Sequence, residues 1–179
     1  VAEGGQLKYT VSLVDSEGKT VSLPVGKEVT LNLSWSGAAA NDGDTAGRPA
    51  TVTLGADGTA SFSVDAKDDY LKEGSEGLVA TLTGAASNSA FESIAISESK
   101  GAASSVVTDE SSDPQDPQNP LDGVTAQIVV DKSSVAEGGQ LKYTVSLVDS
   151  EGQTVSLPEG KVVTLNLNWS GDAANDGDA

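Results

Sequence analysis

The sequence has no cysteine, no methionine and no histidine, and only 10 basic residues against 27 acidic ones. Without cysteine no disulfide can staple the fold, so stability must come from a buried core, from bound metal, or from both. The missing His and Cys also remove the commonest catalytic bases and nucleophiles, and leave oxygen as the ligand available to a metal. A formal charge of −17 repels phosphate backbones and anionic headgroups, which argues against nucleic acid and lipid surfaces as partners. The same charge attracts divalent cations and keeps a long molecule soluble. No apolar run approaches the roughly 18 residues of a membrane-spanning helix, so membrane insertion is not expected.

What the chain does have is a repeat. Residues 1–45 recur at 135–179, an offset of 134, and only Lys19/Gln153, Val25/Glu159, Glu28/Val162, Ser34/Asn168, Ala38/Asp172 and Thr45/Ala179 differ. A period of that length is domain-sized, well above the roughly 20–50 residues of a solenoid repeat, and is long enough to bury a sandwich core. The organisation expected is a first repeat over 1–112 that lacks its leading strand, a linker over 113–122, and the N-terminal part of a second repeat over 123–179.

Apolar and polar residues alternate through most of the first repeat. Leu7, Tyr9, Val11 and Leu13 share one phase, as do Val29, Leu31, Leu33 and Trp35, which is the period of half-buried strands. Thr51–Leu54 and Thr59–Ala66 flank Gly55-Ala56-Asp57-Gly58 and read as a hairpin. Further strands are expected around Leu78–Leu82 and Ser105–Thr108, with Phe91, Ile94 and Ile96 in a strand or loop on the sandwich edge. No segment shows helical periodicity. The fold class expected is all-β, a two-sheet antiparallel immunoglobulin-like sandwich. Thr125–Asp131 supplies the second repeat with the leading strand that the first lacks, and the C-terminal half-repeat is expected to complete a neighbouring sandwich or its own, as in strand exchange between chains. In the linker, Pro114, Pro117 and Pro120 recur every third residue, the turn length of polyproline II, so the joint is expected to be extended.

Carboxylates gather where strands end. Asp68, Asp69, Glu73 and Glu76 lie in one connector, Glu3 precedes a strand, Asp42 and Asp44 follow Trp35, and Asp109 and Glu110 close the last strand. Like charges in one loop repel unless a cation or solvent separates them, and hard oxygen ligands favour Ca²⁺.

Val-Ala-Glu-Gly-Gly at 1–5, Asp-Gly-Thr-Ala-Ser-Phe-Ser-Val at 57–64, Asp-Asp-Tyr-Leu-Lys-Glu-Gly-Ser-Glu at 68–76 and Val-Val-Thr-Asp-Glu at 106–110 together resemble a Calx-β domain. The likeness covers roughly 1–110 and starts again at 123. It implies a seven-strand sandwich that binds Ca²⁺ at one end, next to the following domain. The ligands it implies are Glu3, Asp44 (with Asp42 as the alternative), Asp68, Asp69, a backbone carbonyl near Leu71, Glu73, Glu76, Asp109 and Glu110, with Glu137 as the counterpart of Glu3. The chain departs from the pattern at Asn-Asp-Gly-Asp-Thr (41–45), where Asp-Tyr is usual, and in a closing run less acidic than the usual Asp triplet.

Near-identical acidic sandwiches rich in Ala, Gly, Ser and Thr also resemble the extender repeats of giant RTX-type bacterial biofilm adhesins. That resemblance implies an extracellular, cell-surface fibre whose repeats, stiffened by Ca²⁺, space a distal adhesive domain from the cell; its partners are neighbouring repeats. An enzyme is not expected, because nothing in the sequence marks a cleft around a carboxylate pair. The rival reading is a carbohydrate- or protein-binding adhesin module built on Tyr9, Trp35 and Tyr70, although Tyr9 and Trp35 share the inward phase expected of core.

Overall fold

A computed structural model of the chain describes residues 1–41, 43–110 and 122–171. Asp42 and the linker prolines Pro114, Pro117 and Pro120 lie outside the described residues. Two compact units result, Val1–Asp122 and Gly123–Ala179.

In the first unit the alternating segments become strands, because each buries its apolar phase against a facing sheet. Strands β1 (Gln6–Ser12), β2 (Val29–Ser36), β3 (Thr45–Ala46), β4 (Thr51–Thr53), β5 (Thr59–Ala66), β6 (Ser75–Asn88) and β7 (Ala102–Thr108) form two antiparallel sheets. One has the order β1-β5-β3, the other β4-β2-β6-β7. Between them, Leu23, Val29, Leu31, Val52 and Leu54 form one buried cluster, and Ala39, Val64, Ala66, Leu78 and Val107 a second. Phe62 packs against both clusters. It stacks on Tyr9 with ring centroids 5.4 Å apart, while Trp35 meets Tyr9 edge-on at 5.5 Å. The polar tips of these rings are satisfied: Trp35 Nε1 donates to the Pro49 carbonyl at 2.8 Å, and Tyr9 Oη shares a hydrogen bond with Ser105 Oγ at 2.7 Å. Tyr9 and Trp35 are therefore core, and Tyr70 is exposed.

Two expectations need correction. The turn at Gly55–Gly58 forms, with the Gly58 N–H donating to the Gly55 carbonyl at 2.9 Å, but it is not a hairpin. β4 pairs with β2 and β5 pairs with β1, so the chain crosses from one sheet to the other at this turn. Turn chemistry fixes the reversal; which edge each arm joins depends on partners distant in sequence. A helix also occurs, α1 (Ala38–Asn41), which at four residues is too short to show a period. Phe91 and Ile94 sit in a loop packed against the first cluster.

In the second unit, strands β8 (Thr125–Val130) and β9 (Tyr143–Val148) pair antiparallel. Residues 163–170, which repeat positions 29–36, form no strand there.

Candidate metal centre

The acidic residues meet at one pole of the first unit, and each is brought there by a different element. The N-terminal segment runs alongside the end of β7: Ala2 bridges Thr108 in parallel, and the Glu3 N–H donates to the Thr108 carbonyl at 2.9 Å. Glu3 is thereby set beside the residues that close β7, Asp109 and Glu110. α1 and the start of β3 deliver Asp44, whose carbonyl accepts the Lys67 N–H at 2.7 Å just beyond β5. Asp68, Asp69 and Glu73 lie in the connector from β5 to β6, and Glu76 is the second residue of β6.

The connector is held by its own acids. Asp69 Oδ1 accepts the Leu71 N–H at 2.7 Å, a contact of the amide and not of the carbonyl expected as a ligand. Asp109 Oδ1 accepts the N–H groups of Glu73 at 3.0 Å and Gly74 at 2.8 Å, which pins the connector to the end of β7. Three sets of carboxylates then offer oxygens within 4.8 Å of one another: Glu3 with Asp69 and Glu73, Glu3 with Asp68 and Glu110, and Asp44 with Glu73 and Glu76. Shared members join the three sets into one constellation.

Burial makes this arrangement electrostatically costly. Glu3, Asp44 and Glu110 are 4%, 6% and 8% exposed, and each leaves an oxygen (Oε2, Oδ2 and Oε1) buried with no hydrogen-bond donor among the described residues. Carboxylate pairs this close cannot all ionise cheaply. Burial, then the hydrogen bond to Glu110, then the charges of Glu110, Asp69 and Asp109 push the Glu3 carboxyl up to about 8. Glu110 is also raised, first by burial and next by its hydrogen bond with Asp68. Several hard oxygens with unmet demand for positive charge are the donor set that a divalent cation with irregular geometry satisfies.

Asp122, which the sequence marks only as a linker charge, belongs to the same neighbourhood. Burial raises its pKa, and the charges of Asp68 and Asp69 raise it further. No spacing rule links it to them, because β6 and β7 intervene. Glu137 lies in the second unit, exposed, in the turn closed by the Gly139 N–H on the Ala136 carbonyl at 2.9 Å.

No protein-family model and no curated protein matches the chain. A solved structure, the calcium binding domain CBD12 of CALX1.1, is similar to it at 14% identity, over 61% of this chain and 40% of that one, with a TM-score of 0.44. The present chain thus spans well under two thirds of that protein.

Proposed function

We propose that the acidic pole binds Ca²⁺ and that the chain is an extender module of an extracellular, cell-surface adhesin, a spacer whose joints the ion stiffens. The observation that carries this reading is the set of buried carboxylate oxygens on Glu3, Asp44 and Glu110 that lack a donor among the described residues, on side chains that offer oxygens within 4.8 Å of other acids. Glu3, Asp44, Asp68, Asp69, Glu73, Glu76 and Glu110 are the side-chain ligands proposed, enough to approach the roughly six to eight oxygens that Ca²⁺ takes. Asp109 acts mainly by fixing the connector. A bound cation neutralises the repulsion among these groups and ties the N-terminal segment, the β5–β6 connector and the end of β7 together. Near-identical tandem copies suit a spacing task, where reach grows with copy number.

Catalysis by these carboxylates has no support in the geometry. A cavity of about 780 Å³ exists in the first unit, yet it lies along β1 and β7 and none of the seven proposed ligands lines it. A sugar site on Tyr9 and Trp35 would require opening the core.

Ca²⁺ that binds only the folded pole stabilises it by RT ln(1 + [Ca²⁺]/Kd), roughly 1.4–2.7 kcal/mol per site at about ten to a hundred times Kd. For a domain of this size that is a rise in Tm of roughly 5–20 °C. Calorimetry in calcium and in EGTA is expected to show this difference, and small-angle scattering a shorter maximum dimension in EGTA. Superimposable melting curves in the two buffers would remove the metal from the account and leave a plain spacer.

A further inference from the structure

Asp44 and Glu76 offer oxygens to one set of carboxylates, yet they come from different sheets. Asp44 directly precedes β3, which pairs with β5 in the three-stranded sheet, and its carbonyl continues that ladder by accepting the Lys67 N–H. Glu76 lies in β6 of the four-stranded sheet. The β3–β5 pairing brings Asp44 to this end of the sandwich, but it does not fix Asp44 against β6. A metal set that spans two sheets needs such a tie, because Ca²⁺–oxygen bonds are confined to roughly 2.3–2.6 Å and a loosely held ligand binds poorly.

The short helix α1 is placed to be that tie. Its Ala39 is fully buried among Val64 and Ala66 of one sheet and Leu78 and Val107 of the other. Its entry sits directly on β6 beside Glu76, since a Cβ on Gly37 would collide with the Gly77 carbonyl oxygen. A helix this short leaves the carbonyls of its last turn without partners inside the helix. Two of them are met by the segment that follows Asp44. Thr45 Oγ1 donates to the Ala39 carbonyl at 2.7 Å, and Arg48 Nη1 donates to the Ala40 carbonyl at 2.6 Å. Thr45 is 3% exposed, so its bond is shielded from water, and Arg48 is the single arginine of the chain.

We infer that Thr45 and Arg48 are positioning residues for the Asp44 carboxylate. They fasten the segment after Asp44 to α1, and through α1 to β6, and so hold its oxygens toward those of Glu73 and Glu76. Neither touches the ion. Asp44 Oδ2 is buried without a donor among the described residues, so neither side chain compensates the charge there, and their effect on the carboxylate is one of placement. The inference rests on the calcium reading above and adds the residues outside the acidic set that govern affinity.

The test is titration calorimetry of the full chain with calcium, at a temperature where the chain in EGTA is fully folded. Thr45→Val keeps the shape but loses the hydroxyl, and Arg48→Met keeps the aliphatic stem. Each is expected to weaken binding roughly 10–100-fold. Removing a positive charge would by itself favour a cation, so weakening by Arg48→Met separates placement from electrostatics. Thr45→Ser retains the donor and is expected to bind as the parent does. Once Asp44→Asn has removed the ligand, adding Thr45→Val is expected to change affinity no further. Val52→Ala, in the first cluster, is the control for stability and is expected to lower Tm in EGTA while leaving affinity unchanged. Parent-like affinity in Thr45→Val or Arg48→Met overturns the inference and leaves the calcium site standing. So does a loss in Thr45→Val that persists on the Asp44→Asn background, or an equal loss in Val52→Ala. A parent chain that takes up no calcium in the same titration removes the site itself, and this inference with it.

Discussion

At Glu3 two demands conflict. The residue is only 4% exposed, and the charges that act on its carboxyl group are those of other carboxylates. A proton resolves the conflict when no cation does. The ordinary pKa of 4.5 applies to the unfolded chain, and the folded value is about 8. Between these values the native chain retains a proton that the unfolded chain has released, so stability falls as pH rises. In EGTA, melting temperature is expected to be highest below about pH 4.5 as far as this group is concerned, and to drop toward pH 8, by at most about 1.4 kcal/mol of stability per pH unit. Glu110 and Asp122, also raised, add to the same trend. Glu3→Gln should flatten that decline, because the amide cannot ionise, and should remove most of the Tm gain given by calcium. A Glu3→Gln variant that keeps both the pH slope and the calcium response would detach Glu3 from the pole.

Among the elements, the crossing between sheets at Gly55–Gly58 depends on one backbone. Gly58 has φ +78°, and a Cβ placed on it would lie 1.9 Å from the Val21 carbonyl oxygen. Gly18 has φ +80° with nothing within 4 Å of such a Cβ. Gly18→Ala is expected to cost only the left-handed penalty, about 1–2 kcal/mol, and Gly58→Ala at least about 3 kcal/mol, since main chain must move as well. Chemical denaturation of the two variants measures the difference, and equal costs would mean that Val21 is not held against the turn. The same turn shows what the sequence does and does not disclose. The phases of Leu7–Val11, Val29–Trp35 and Phe62–Val64 were readable because a strand with one wet face must alternate. The sheet that each arm of the turn would join was not, since nothing local distinguishes β2 from β1 as a partner. The acids are similar: Asp68, Asp69, Glu73 and Glu76 are adjacent in sequence, but Asp44 reaches them only through the β3–β5 pairing, and Asp122 only after β6 and β7 have returned the chain to the same end.

For the molecule as a whole, two stretches of nearly the same sequence meet different fates. Val29 and Leu31 are 0% and 2% exposed, while their counterparts Val163 and Leu165 are 50% and 42% exposed. Propensity cannot account for this, because the residues are the same. The difference is partners. β2 lies between β4 and β6, drawn from residues 51–88, whereas among the described residues no strand pairs with residues 163–170. An apolar phase without a facing sheet gains little burial to set against the entropy of ordering it. Hydrogen exchange offers an internally controlled test, since Thr30–Leu33 and Thr164–Leu167 share the sequence Thr-Leu-Asn-Leu and hence very similar intrinsic rates. Amides of Leu31 and Leu33, which lie in the β2 ladders, are expected to exchange only on global unfolding of the first unit. Those of Leu165 and Leu167 are expected to exchange at least about a thousandfold faster, near the rate of an open chain. Comparable protection at the two places would mean that the second segment finds a sheet of its own, and that sequence rather than topology decides which of the two copies is ordered.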